Sequence, residues 1–337
     1  MARSKHPQPL QIYCMGPGFG ESIVLHLPCG SWGVVDCFHG ARGGTVDFLR
    51  ERGVERLKFF CLTHPHDDHY RGTHKLFRRY TGKIEHVWRF SGMTAKDLQN
   101  LALGTRALAK FGGDPEAGPL ALDYLRMVDS MTRERDRMPE KNYLQVSYPR
   151  TLLEEADYKI EVKRPGNRCI ERFQEKFARV IIKHAPLLLS DEGGEAINSI
   201  SVVLGITFGS AKIFLLGDAQ GSDLSLDLEG DGEDYAVVKL AHHGSHNGLG
   251  AEAIIRKRRS PRVDHAILTP YSRSGLPREE MKAKYKKSCA ELVKTPEGQS
   301  RRPRRSVPAM SNARILNETV SWVGLEVSSA GEVRQFQ

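Results

Sequence analysis

The sequence predicts a layered α/β domain, and three observations carry that prediction. Short apolar runs recur along the chain with segments of helical period between them, the alternation that builds layered α/β domains. Several of the runs end on His or Asp, as strands do when they deliver side chains to a site at one edge of a sheet. The composition, 39% hydrophobic and 27% charged, belongs to a globular chain with a core of its own. At 337 residues the length suits one large domain or two ordinary ones, and a single domain over 1–337 is expected.

Taken in order, Leu10 to Leu27 reads as two strands around the turn Gly16-Pro17-Gly18-Phe19-Gly20. Trp32-Gly33-Val34-Val35 is a short strand closed by Asp36. Thr45 to Arg52 has a helical period and a stop at Gly53. Leu57-Lys58-Phe59-Phe60-Cys61-Leu62 reads as a buried strand. Residues of about 93–150 change character: Ala95–Lys110 and Leu120–Arg137 are helical in pattern, split by the breaker Gly112-Gly113-Asp114-Pro115, and predict a helical insertion. Strands return at Ser201–Ile206, Lys212–Leu216, Tyr235–Leu240 and His265–Leu268. A helix follows over Pro277–Lys287, then a last strand around Val320–Val327. From about 290 a basic C-terminal extension is expected.

The densest chemistry lies in Thr63-His64-Pro65-His66-Asp67-Asp68-His69, which places three of the thirteen histidines within six residues. Neutral imidazole and carboxylate are ligands for divalent transition metals. His64 and His66 share a side by the two-residue period of extended chain. Asp68 and His69, past the bend, can face a second ion. Leu215-Leu216-Gly217-Asp218 ends a strand on a carboxylate whose neighbouring glycine permits close approach, a position suited to bridging two cations. Lys239-Leu240-Ala241-His242-His243-Gly244-Ser245-His246 ends another strand in histidines.

The charge is +9, from 50 basic and 41 acidic residues, which admits an anionic partner such as nucleic acid or nucleotide. Arg256-Lys257-Arg258-Arg259 and Arg301-Arg302-Pro303-Arg304-Arg305 are the densest basic runs. No apolar stretch follows the basic N-terminus, so no signal peptide is expected. The apolar region Ile197–Leu216 is too interrupted to span a bilayer, so no membrane partner is expected either. Six scattered cysteines with no C-x-x-C pair read as reduced thiols and place the chain in the cytoplasm.

Together, Val34-Val35-Asp36, the His64–His69 motif, Leu216-Gly217-Asp218 and His242-His243-Gly244-Ser245 resemble the metallo-β-lactamase fold superfamily over roughly residues 10–280. Asn198–Leu204, Phe214–Ala219 and Lys239–Ser245 resemble the β-lactamase-like domain of bacterial competence (DNA-uptake) proteins and their soluble relatives. The resemblance implies an αββα sandwich and two divalent ions, Zn²⁺ or Mn²⁺. His64 and His66 would hold the first ion, Asp68 and His69 the second, and Asp218 would bridge them. His243 would complete the second site, with His242 touching substrate or supporting a ligand. Asp36 would hydrogen-bond a ligand histidine and fix its tautomer. Many members add a third histidine to the first ion. Here His184 lies outside any motif, and Asn198 or Ser201 takes that place. An amide or hydroxyl oxygen there makes the site harder and favours Mn²⁺.

The implied chemistry is metal-assisted hydrolysis without a Ser or Cys nucleophile, Asp68 handling the proton and Asp218 bridging the ions. The expected function is a phosphodiesterase or nuclease acting on nucleic acid or nucleotides, in DNA processing or phage defence. Ser245, His246, Tyr271 and Arg273 would line the phosphate pocket. A thioesterase- or lactonase-type hydrolase is the alternative enzyme. A non-catalytic nucleic-acid-binding or complex-assembly protein is the alternative outside enzymes.

Overall fold

The computed structural model describes residues 8–16, 20–40, 43–94, 96–100, 103, 117–182, 191–220, 234–251, 263–271, 274–296 and 322–336. The first strands are Leu10–Met15 (β1), Ile23–His26 (β2), Trp32–Val35 (β3), the small hairpin His39–Gly40 (β4) and Gly43–Gly44 (β5), Leu57–Leu62 (β6) and Ile84–Phe90 (β7). Tyr143–Val146 (β8), Arg150–Glu154 (β9), Tyr158–Arg164 (β10), Val203–Phe208 (β11) and Ala211–Leu215 (β12) follow. Tyr235–Lys239 (β13), Val263–Leu268 (β14), Glu291–Lys294 (β15), Trp322–Val327 (β16) and Val333–Phe336 (β17) complete the set.

Two mixed sheets result. The first has eight strands in the order β17-β16-β1-β2-β3-β6-β7-β8, and the second seven in the order β15-β14-β13-β12-β11-β10-β9. β3, β6, β7 and β8 run parallel in the first sheet, and β12, β13, β14 and β15 in the second. Parallel strands are buried on both faces and read as continuous apolar runs, which is why Leu57–Leu62 and Tyr235–Lys239 carry little polar alternation.

The core lies between the sheets. Ile12, Leu25, Phe59 and Cys61 from one side and Ile160, Val162, Ile206 and Ile213 from the other belong to one contiguous apolar cluster. Phe59 lies flat on Trp88 with centroids 4.5 Å apart, within the range where aromatic pairs attract. Helices cover the outer faces. Phe77 of the helix Thr73–Arg79 meets Phe60 edge-on at 5.2 Å, and Phe48 of Thr45–Glu51 meets Tyr13 at 4.9 Å. On the other side Met281 and Tyr285 of Glu279–Ser288 pack with Val238, Leu240 and Leu268. This is the expected αββα arrangement.

Two details differ from the sequence reading. The stretch of about 93–150 is not helical throughout: the helix Ala117–Arg135 is followed by β8, which adds an edge strand to the first sheet. The described residues beyond 290 include β15 in the second sheet and β16 and β17 in the first, where the sequence reading expected a single strand around Val320–Val327. Arg256–Arg259 and Arg301–Arg305 lie outside the described residues.

Candidate metal centre

The centre forms where β3, β6, β12 and β13 end. β3 and β6 are parallel neighbours, as are β12 and β13, so their carboxyl ends meet at one edge of the sandwich. The exits of β3 and β6 are tied by one carboxylate. Asp36 accepts from the Thr63 backbone N–H (2.7 Å) and the Thr63 hydroxyl (2.6 Å). The chain stays extended to His66 and then enters the helical turn Asp67–Tyr70, which turns Asp68 and His69 back towards the same point.

Backbone strain is concentrated here. Among the described residues, Asp36, His242 and His243 are the non-glycine residues with left-handed φ, at 57°, 46° and 53°. Each such residue costs about 1–2 kcal/mol, and such strain persists where the surroundings over-determine it, above all at functional sites. Gly217 (φ 51°) and Gly244 (φ 75°) flank Asp218 and His243, and a Cβ on Gly217 would stand 2.5 Å from Ser201 Oγ. The backbone is bent to aim side chains inward.

Asp218 is the hub. Its oxygens lie 4.0 Å from His64 Nε2, 3.5 Å from His69 Nε2 and 3.5 Å from His243 Nε2. Asp68 Oδ2 lies 3.0 Å from His243 Nε2 and 3.7 Å from His69 Nε2. His64 Nε2 and His66 Nδ1 stand 3.1 Å apart, close to the span of two nitrogens sharing one ion through bonds of about 2.0–2.1 Å. Two groups of donors emerge: His64, His66 and Asp218, and beside them His69, His243 and Asp218 with Glu21 in reach, while Asp68 Oδ2 lies against the His69 and His243 rings.

The opposite ring nitrogens are fixed from behind. His69 Nδ1–H donates to Asp36 Oδ2 at 2.7 Å, and His243 Nδ1–H to the Thr269 carbonyl at 2.9 Å. The Thr63 hydroxyl gives its proton to Asp36, so it accepts from His64 Nδ1–H at 3.0 Å. Each of these tautomers leaves Nε2 with a lone pair facing the centre, the arrangement that orients metal-binding imidazoles.

Charges are distributed to match. Burial pushes His66 down to about 4 and His64 well below its usual range, so both rings are neutral at physiological pH. Burial would also raise Asp68, but His69 and His243 outweigh it and hold the carboxyl at about 2. Burial opposes charge on His69 too, yet Asp218, Asp68 and Asp36 pull its pKa well up. A ring drawn towards protonation by three carboxylates lies in a field made for a cation. His69 Nε2 and Asp218 Oδ1 are buried 3.5 Å from each other and have no closer hydrogen-bond partner among the described residues, a costly state for polar atoms unless something else satisfies them. The donor set therefore fits divalent ions.

No protein-family profile and no curated protein matches this sequence. Solved structures of metallo-β-lactamase fold proteins do match. The metallo-β-lactamase fold protein YhfI from Bacillus subtilis covers 86% of this chain and 98% of its own at 11% identity and a TM-score of 0.44. A diphosphatase from the PhnP family covers 86% and 96% at 13% identity and TM-score 0.44. Human tRNase Z, short form, covers 86% and 93% at 13% identity and TM-score 0.41. Overlap this loose leaves the fold to be read from the chain's own strand order.

The remaining expected residues divide. His242 is half-buried at the rim, its Nδ1 reached by the Gln220 and Asn247 side-chain amides at 2.6 and 3.1 Å. Asn198 is buried, and its Oδ1 has no hydrogen-bond partner among the described residues. Ser201, three residues further on, touches His64 Nδ1 at 3.4 Å and accepts from the Asp218 backbone N–H at 3.1 Å. Tyr271 stacks on the His243 ring at 4.9 Å and supports it from one face. Ser245 is buried just past the histidines, whereas His246 is exposed. Arg273 and His184 lie outside the described residues.

Three residues at the centre escaped the sequence reading: Glu21, Lys239 and Thr269. Glu21 and Lys239 form a fully buried ion pair, and the Thr269 hydroxyl donates to Glu21 Oε2 at 3.0 Å. The available signal was a single lysine in the apolar strand Tyr235–Lys239, since a buried lysine needs an acidic partner.

Proposed function

We propose that this chain is a metal-dependent phosphodiesterase acting on nucleic acid or nucleotides. The observation that carries the reading is the convergence of His64, His66, Asp68, His69 and His243 on Asp218, with His69 Nε2 and Asp218 Oδ1 buried 3.5 Å apart and without a closer hydrogen-bond partner among the described residues. In this reading His64 and His66 hold one divalent ion, with the Asn198 amide oxygen, buried and without a hydrogen-bond partner among the described residues, as a further ligand. Asp68, His69 and His243 hold a second, and Asp218 serves both. Bound there, such ions supply Lewis-acid polarisation of the phosphoryl group and activation of water.

The residues around them have separate tasks. Asp36, Thr63 and Thr269 fix the imidazole tautomers so that lone pairs face inward. Asp68 is ionised at neutral pH. Its Oδ2 lies 3.0 Å from His243 Nε2 and 3.7 Å from His69 Nε2, so we assign it first to holding a cation and second to receiving the proton of the attacking water. His242, tethered by Gln220 and Asn247 at the rim, is the ring placed to hydrogen-bond a phosphoryl oxygen of bound substrate. Ser245 and Tyr271 extend that pocket.

The phosphodiester class is supported by the net charge of +9, the runs Arg256–Arg259 and Arg301–Arg305, and the likeness of Asn198–Leu204 and Lys239–Ser245 to competence-type domains. The role is DNA processing or defence against foreign nucleic acid. The scattered cysteines support a cytoplasmic setting, and among the described residues no helix is long and apolar enough to cross a membrane.

The test is cleavage of single-stranded DNA, double-stranded DNA and RNA, beside a neutral thioester and a lactone. Metal-stripped protein is refilled with Mn²⁺, Zn²⁺ or Mg²⁺, and His64→Ala serves as control. Metal-dependent cleavage of a nucleic acid, absent in the control, is expected. Turnover of the thioester or lactone with silence on every nucleic acid would replace this reading with the ester-hydrolase one.

A further inference from the structure

Behind the second donor group lies a buried charge pair that no ligand role explains. Glu21 opens the segment leading into β2, and its backbone N–H donates to the Asp68 carbonyl at 2.8 Å. Lys239 is the last residue of β13 and, among the described residues, the one buried lysine. Its ammonium meets Glu21 Oε2 and also donates to the Gly217 carbonyl at 3.3 Å. The pair therefore joins the exits of β12 and β13 to the loop that carries Asp68.

Glu21 lies within 4.8 Å of donor atoms on His69, Asp218 and His243, as a ligand would. Two facts argue for a different role. Its carboxylate is already engaged by Lys239 and by the Thr269 hydroxyl, and an ammonium on the same carboxylate repels a divalent ion. It also stands 3.9 Å from His243 Nδ1, the nitrogen committed to the Thr269 carbonyl, whereas Nε2 is the atom that faces Asp68 and Asp218. Glu21 is behind the ring.

We propose that Glu21 and Lys239 are positioning residues for the second ion: the pair locks Thr269, whose carbonyl holds His243 in the Nδ1–H tautomer with Nε2 turned inward. This rests on the metal-dependent reading above. Asp36 fixes His69 directly with a carboxylate. His243 is fixed by a carbonyl, a weaker partner than a carboxylate, and Glu21 acts one bond further back by anchoring the residue that supplies it. The lysine makes that anchor tolerable in a dry interior, because an unpaired buried carboxylate would be far costlier.

The experiment is calorimetric titration of Mn²⁺ into the metal-stripped full-length chain, comparing wild type, Glu21→Gln, Glu21→Asp and Thr269→Val. Nitrogen-15 NMR of the histidine rings in the Zn²⁺-loaded proteins reports tautomers, and thermal melting accompanies both. In wild type two ions bind. In Glu21→Gln and Thr269→Val the second should bind about 10–100-fold more weakly, the usual effect of losing such a support, while the first is unchanged. Glu21→Asp should recover part of the loss, and the His243 signals should show a mixed tautomer in Glu21→Gln. Lys239→Met, which strands Glu21, should melt below the double variant Glu21→Gln/Lys239→Met.

Two ions bound by Glu21→Gln and Thr269→Val with wild-type affinities, and an unchanged His243 tautomer, would overturn the proposal. Equal weakening of both ions would overturn it too, by showing a general loss of structure. A wild type that binds no ion would instead remove the metal-dependent reading on which the proposal stands.

Discussion

Asp36 accepts from the Thr63 N–H and hydroxyl and from His69 Nδ1, all within 2.7 Å, in a fully buried position. Asp36→Asn keeps the shape but replaces a carboxylate with an amide that offers one acceptor oxygen and two N–H groups. With the amide nitrogen in the Oδ2 position, two of the three donors, the Thr63 hydroxyl and His69 Nδ1–H, face an N–H, and His69 loses the partner that fixes its tautomer. The expected outcome is a fall of about 10–100-fold in affinity for the ion His69 holds, read by calorimetry. Asp218→Ala removes the carboxylate that lies within 4.0 Å of three imidazoles and should abolish hydrolysis, with a circular dichroism spectrum like wild type. The ligand-type residues were legible because H-x-H-x-D-H packs several donors into one short segment. Glu21 was not, because its meaning depends on Thr269, 248 residues away, and on a lysine that reads locally as strand. A single acid after a glycine-rich turn carries no local sign of burial.

Strand exits are where local backbone geometry and chemistry meet. Gly217 is required twice over: its φ of 51° is left-handed, and an added Cβ would press on Ser201 Oγ and, at 3.1 Å, on the Val202 carbonyl. Gly217→Ala should therefore destabilise the protein by at least about 1–2 kcal/mol from the backbone alone, as a lower midpoint in urea at unchanged slope. It should also displace Asp218. The apolar strands were readable because parallel strands are continuous apolar runs, and the stop at Gly53 because a left-handed glycine ends a helix, as its φ of 65° shows. The stretch 143–164 was harder. β8 is a short, half-buried edge strand without a strong pattern. β10 alternates strictly between buried and half-buried positions, so the two-residue period of Tyr158–Arg164 was present to be read.

At the scale of the whole molecule, two sheets bring together residues from opposite ends of the chain: β16 pairs with β1, and Thr269 reaches Glu21. The donor set exists only in the folded state, so ion binding is coupled to folding. Chelation should lower the melting temperature, by an amount corresponding to about 2.7 kcal/mol if the ion is present at about a hundred times its dissociation constant. The same treatment should leave His64→Ala nearly unmoved. The charge of +9 makes a long-range prediction as well. Reversing Arg301, Arg302, Arg304 and Arg305 to Glu should flatten the dependence of duplex-DNA binding on salt, by about 0.9 in logarithmic slope for each phosphate no longer neutralised. The most direct measurement is the rate of bis-p-nitrophenyl phosphate hydrolysis by metal-stripped protein as Mn²⁺ is added in equivalents. The account predicts negligible turnover without ion, a rise that levels off once two equivalents are bound, and no rise in Asp218→Ala. Full turnover by the stripped protein, or by Asp218→Ala at saturating Mn²⁺, would contradict it.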